Sequence, residues 1–261
     1  MRAATVLSVA TLVTSLLLSA CGGSEPVKEA VDPTTVSSKD AATFNVQLGL
    51  TYLQQGKIEL ARDKLERALD QNPKDPSVHT GVALLYDRLG ENDKAERHFR
   101  TALRMRPDDP TVQNYFGVFL CKNKRYPDGE KILLKAAHNP VYQTPEVALS
   151  NIGVCERNAG HADVAEGYFL KATQLRPQFA EGWLQLSEVT FQRGDYPKAL
   201  EYLQRHLNLV RVSASALWLG LRIERALGND KQVEAYSRRL KTEFPNADET
   251  RTLLEQERKS G

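Results

Sequence analysis

From about residue 42 to residue 247, small and apolar residues return along the chain at an interval of 34. Gly49, Ala61, Leu65, Ala68 and Pro73 are followed one interval later by Ala83, Ala95, Phe99, Ala102 and Pro107, then by Gly117, Gly129, Leu133 and Ala136. After a two-residue insertion the pattern resumes at Gly153, Ala165, Phe169, Ala172 and Pro177. It continues at Ser187, Ala199 and Leu203, and ends at Gly228, Leu240 and Pro245. Self-similarity at such a period is the mark of a stacked repeat. Gly56, Gly90, Gly160, Gly194 and Gly228 recur at the fifteenth position and punctuate each unit, as expected where a helix ends in a left-handed residue. A proline near position 32 lacks an amide donor and forbids continuation of a second helix. Each unit therefore predicts two helices, A and B, with small residues where their backbones approach and a bulky one filling the gap beside them.

Small residues at positions 8 and 20, a bulky residue at 24, Ala at 27 and Pro at 32 resemble the tetratricopeptide pattern. The resemblance implies an all-α fold, a right-handed superhelix of six repeats over about 42–75, 76–109, 110–145, 146–179, 180–213 and 214–247. Residues 248–261, DETRTLLEQERKSG, resemble the polar capping helix that closes such an array, so the repeat domain is expected over 41–261. One hairpin cannot bury both faces, and stacking its neighbours creates a concave surface lined by A helices. The last unit departs from the pattern: Gly220 and Leu221 reverse the expected order, and Ser237 stands where a bulky residue belongs.

The N-terminus is of another kind. Arg2 is followed by an uncharged run from Ala3 to Ala20, a short basic region and an apolar one, as in a secretory signal peptide at 1–20. The run has about the length of a membrane span. However, it includes several Ser and Thr, and the next bases come only at Lys28 and Lys39. Leu18-Ser19-Ala20-Cys21 resembles the bacterial lipobox, which implies cleavage before Cys21 and acylation of that residue; several acyl chains meet the requirement for stable anchoring. Gly22 in place of Asp implies sorting to the outer membrane, facing the periplasm. Residues 21–40, rich in Gly, Ser, Thr and Pro, are expected to be a lipidated flexible tether with a reach on the order of 25 Å.

Composition narrows the chemistry. Lys and Arg number 35 against 33 Asp and Glu, a net charge of +2, which provides no field suited to nucleic acid. Three cysteines are too few for a disulfide-dense scaffold or a four-thiolate zinc site. No HExxH, GxSxG or phosphate-binding glycine loop occurs, and the five histidines are scattered. No catalytic residue, metal, small-molecule substrate or cofactor is expected beyond the covalent lipid on Cys21.

In this repeat class, positions 2, 5, 9 and 12 of helix A point into the groove. Val46, Leu50, Leu53 and Leu84 occupy such positions and are expected to form an apolar partner-binding patch, since they have no core to enter. Trp218, Arg222 and Arg225 fall on the corresponding face of the last repeat, a candidate second contact. Cys121 and Cys155 both lie on A helices of adjacent repeats; they are read either as a disulfide or as two buried thiols.

Asn139-Pro140-Val141-Tyr142, Asn151-Ile152-Gly153-Val154-Cys155, Asn114-Tyr115 leading to Phe119-Leu120-Cys121, and the run from Ala216 to Ile223 resemble the type IV pilus biogenesis lipoproteins. That family's members are pilotins, which escort the outer-membrane secretin and help it to multimerise. The resemblance implies a lipid anchor in the outer membrane, a secretin subunit as partner, and a disulfide joining repeats 3 and 4. Repeat lipoproteins also serve as adaptors for cell-wall hydrolases or synthases, or for outer-membrane protein insertion, and both alternatives are compatible with the residues.

Overall fold

The computed structural model describes residues 37–260. The expected signal peptide, Cys21 and the tether up to residue 36 lie outside the described residues. These comprise thirteen α-helices and no strand: α1 (Ser38–Gln54), α2 (Ile58–Gln71), α3 (Pro76–Arg88), α4 (Asn92–Met105), α5 (Pro110–Lys122), α6 (Tyr126–Ala137), α7 (Pro145–Ala159), α8 (Ala162–Leu175), α9 (Ala180–Gln192), α10 (Tyr196–Leu207), α11 (Ala214–Ala226), α12 (Asp230–Glu243) and α13 (Asp248–Ser260). Successive helices from α1 to α12 pair as hairpins, one per 34-residue unit. Residues 38–40, read from the sequence as the end of the tether, form the first turn of α1. The Ser38 hydroxyl donates to the Gln71 carbonyl, 2.9 Å away at the end of α2.

Local chemistry sets the helix ends. The Asp75 carboxylate accepts from the Ser77 amide at 2.8 Å and that of Asp109 from the Thr111 amide at 3.0 Å, each followed by proline in the first turn. Both features suit amides that have no partner inside the helix. The five punctuating glycines adopt φ between +71° and +94°, whereas the third repeat places Lys124 at the same position with φ +61°.

The core follows the pairing of small with bulky residues. Leu65, Phe99, Leu133, Phe169 and Leu203, all at position 24, are fully buried. A Cβ added to Gly49 would lie 2.6 Å from Leu65 Cγ, so the close approach of α1 and α2 requires glycine there. The sixth hairpin keeps this relationship in another register. Gly220 faces Tyr236, whose Cε1 would sit 2.7 Å from an added Cβ, and sixteen residues separate the two, as they do Gly49 and Leu65. Both partners have moved back by one position. Leu221 is thereby freed to pack with Leu217, Leu240 and Leu253, the last of which belongs to α13. At the end of α12 the Thr250 hydroxyl donates to the Phe244 carbonyl at 2.8 Å, and Lys241 pairs with Glu257 at 2.7 Å. These contacts seat α13 over the last hairpin.

Candidate partner-binding groove

Positions 9 and 12 of the A helices supply the floor of a cleft between α1 and α3. Leu50, Leu53 and Leu84 line it together with Gln54, Asp87, Arg88, Tyr115 and Lys122, and its volume is about 350 Å³. The three leucines are half-buried and Tyr115 is 38% exposed, so apolar surface faces water across the repeat boundary.

Val46 is not part of this floor. It is 6% exposed and packs with Ala42, Ala68 and Val78. The reason lies on the neighbouring helix: Gly81 has no side chain, and a Cβ there would come 3.6 Å from Val46 Cγ1. α1 and α3 therefore close over position 5. Thr80, Asn114 and Ser150, at the same position of the next three repeats, are buried as well. The groove is built from positions 9 and 12, not from 5.

The rim is polar and asymmetric. Lys122 Nζ on α5 reaches Asp87 Oδ1 on α3 at 2.8 Å. Arg88 is exposed and its guanidinium has no carboxylate or hydrogen-bond partner among the described residues. Sequence reasoning missed Arg88, Lys122 and Tyr115. The recurrence of a base at position 13 in the second and third repeats was the available signal for the first two.

The other sequence-derived candidates lie elsewhere. Trp218 packs against the cluster of Leu217, Leu221, Leu240 and Leu253. Arg222 lies over the Phe191 ring, 4.4 Å from its centroid. Arg225 donates to Gln256 Oε1 of α13 at 3.2 Å. All three make contacts within the chain, with Trp218 and Arg222 half-buried and Arg225 exposed. Cys121 on α5 and Cys155 on α7 are joined by a disulfide with their Cα atoms 5.4 Å apart, packed among Leu133 and Ile152. The fold also brings together two histidines that the sequence separates, His79 and His98, whose Nδ1 atoms are 2.9 Å apart. Among the described residues, no group of three or more His, Cys, Asp or Glu could hold a metal ion.

A stack of helical hairpins with a half-apolar cleft on its A-helix face defines a repeat scaffold. The chain belongs to the tetratricopeptide repeat family, which matches residues 34–76, 46–110, 81–140 and 156–216 and is not a catalytic family. Within it, the chain is 26% identical over 246 residues to the type IV pilus assembly protein PilF of Pseudomonas aeruginosa, spanning 94% of this chain and 95% of PilF. The crystal structure of PilW, a widely conserved type IV pilus biogenesis factor, matches with a TM-score of 0.71 and 31% identity over 82% of this chain and 98% of PilW. The structure of Pseudomonas aeruginosa PilF matches with a TM-score of 0.67 and 25% identity over 84% and 99%. The chain is homologous to these factors, and the homology indicates a role in type IV pilus biogenesis.

Proposed function

We propose that the chain is a pilotin. It captures an exposed segment of the type IV pilus secretin in the α1/α3 cleft, and acyl chains on Cys21 carry both to the outer membrane, where the secretin multimerises. It performs no reaction and needs no cofactor beyond the covalent lipid. The observation that carries this reading is the cleft itself: Leu50, Leu53 and Leu84 share one concavity and stay partly wet. Covering them with a partner would contribute about 25 cal/mol for each Å² of apolar surface removed from water. Homology to pilus biogenesis factors supplies the kind of partner.

Leu50→Asp combined with Leu84→Asp places two charges on the cleft floor, at side chains that also lean on the buried clusters beneath, so retention of the fold is checked alongside. Truncating or charging a central interface anchor typically costs about 2–4 kcal/mol, a loss of more than tenfold in affinity. Far-ultraviolet circular dichroism is expected to match the parent chain, while detergent-resistant secretin multimers disappear from cells carrying the variant. Wild-type multimer levels in cells that express a folded double variant would refute the assignment.

A further inference from the structure

The α1/α3 cleft does not stand alone. Position 9 is aliphatic in four successive repeats, Leu50 on α1, Leu84 on α3, Val118 on α5 and Val154 on α7, and then becomes Glu188 on α9 and Arg222 on α11. Val118 is 38% exposed and lines, with Val154 and the Cys121–Cys155 disulfide, a second cleft of about 460 Å³. Lys122 borders both clefts, so they are neighbours along one groove.

Lys124, just past the C-terminal end of α5, lines the second cleft. Its backbone is left-handed at φ +61° where all five other repeats use glycine, a conformation unfavourable for an L-residue. Such strain, when retained, clusters at ligand clamps. The side chain gained in exchange lines the second cleft, is exposed, and makes no ion pair among the described residues. Arg88 is likewise unpaired on the rim of the first cleft. Among the residues lining the two clefts the only carboxylate is Asp87, which Lys122 already holds. The groove therefore offers an apolar stripe flanked by two unsatisfied cations.

We infer that the partner segment held at α1 and α3 runs on across α5 and α7 as one extended strand, presenting aliphatic side chains to Leu50, Leu84, Val118 and Val154 and carboxylates to Arg88 and Lys124. Neighbouring helices lie about 8–10 Å apart, so four of them span roughly 30 Å, the length of about nine extended residues. The exposed amide of Asn158, in the second cleft, suits the backbone of such a strand. The occupant's identity as secretin rests on the pilotin reading; its extended, acidic-aliphatic character rests on the groove.

The test places a benzophenone amino acid at Leu84, Val118 or Val154 of the full chain in its native cell, with adducts identified by mass spectrometry. All three positions are expected to capture one partner, the secretin. Lys124→Gly is expected to lower the yield from position 154 about tenfold, the worth of one charge-assisted contact, and Lys124→Arg to restore it. Because Lys124→Gly also relieves the left-handed strain, its Tm should equal or exceed the parent's, which separates lost binding from lost folding. Secretin adducts from position 84 alone would overturn the extended strand and leave the pilotin reading standing. One different protein captured at all three positions would do the reverse. No adduct anywhere would sink both, and an unchanged yield with Lys124→Gly would remove the carboxylate.

Discussion

His79 and His98 meet ring to ring, with Nδ1 atoms 2.9 Å apart and the Nε2 of His79 2.9 Å from the Pro73 carbonyl. One proton can lie between the two Nδ1 atoms. Burial above all, then the facing His79 and the neighbouring Arg97, pushes His98 below its ordinary 6.5. The sign of the linkage follows. Below about pH 6.5 the unfolded chain takes up a proton that the folded chain refuses, so this contribution to stability is complete above that pH and is lost as pH falls toward the lowered folded value. Tm is expected to fall as the pH drops below about 6.5, and His98→Gln should flatten that slope in scanning calorimetry. Parallel pH profiles for the two proteins would show that the pair does not titrate as described. At this scale the sequence is legible where a residue's role is set by its own helix and illegible where a neighbour decides. Position 5 of helix A looks open in a single hairpin, and only the approach allowed by Gly81 shows that Val46 is sealed.

The helical hairpin was readable in the first five units, because a small residue and a bulky one sixteen positions later record the contact between A and B directly; in the sixth that pair has slipped by one position. What the interval cannot record is how adjacent hairpins are tied. The disulfide joins α5 to α7 across a sequence separation of 34. Gly129 presses against it, since an added Cβ would collide with Cys121 Sγ. In the chain-entropy account a loop of this size contributes up to about 4 kcal/mol. Cys121→Ser combined with Cys155→Ser should therefore shift the urea midpoint well below that of the oxidised parent and close to that of the parent under reducing conditions. A midpoint matching the oxidised parent would show that the link constrains nothing beyond what packing already holds. Because stability in a repeat array is close to a sum of neighbour terms, the loss should concentrate in the third and fourth hairpins.

For the whole array, the question is how the ends are closed. Leu253, on the inner face of α13, is 1% exposed and meets Leu217, Leu221 and Leu240. Leu253→Asp would bury an unpaired charge there and is expected to destabilise the C-terminal hairpins by about 3 kcal/mol. Hydrogen exchange should show α11 and α12 losing protection while α1 to α8 keep theirs; uniform loss would mean that the array melts as a single unit. The cap also accounts for the contacts of Trp218 and Arg225 within the chain, whereas Arg222 is held by α9. A rule for interior repeats places those side chains in open groove, but at the end of the stack Gln256 of α13 receives Arg225, and Phe191 of the preceding A helix receives Arg222. The groove at the other end was legible for Leu50, Leu53 and Leu84 because no neighbouring side chain closes over positions 9 and 12 there, whereas Cys121, also at position 12, is buried by its disulfide partner.

The paired displacement of Gly220 and Tyr236 has a consequence for anyone tracing relatives of this chain. The family match covers residues up to 216, just inside α11, so the last hairpin is tied to the others by its small-to-bulky contact and not by fixed columns. Aligning on the distance between the two partners, rather than on fixed columns, restores the terminal hairpin and keeps homologues with the same phase change from being counted one unit short.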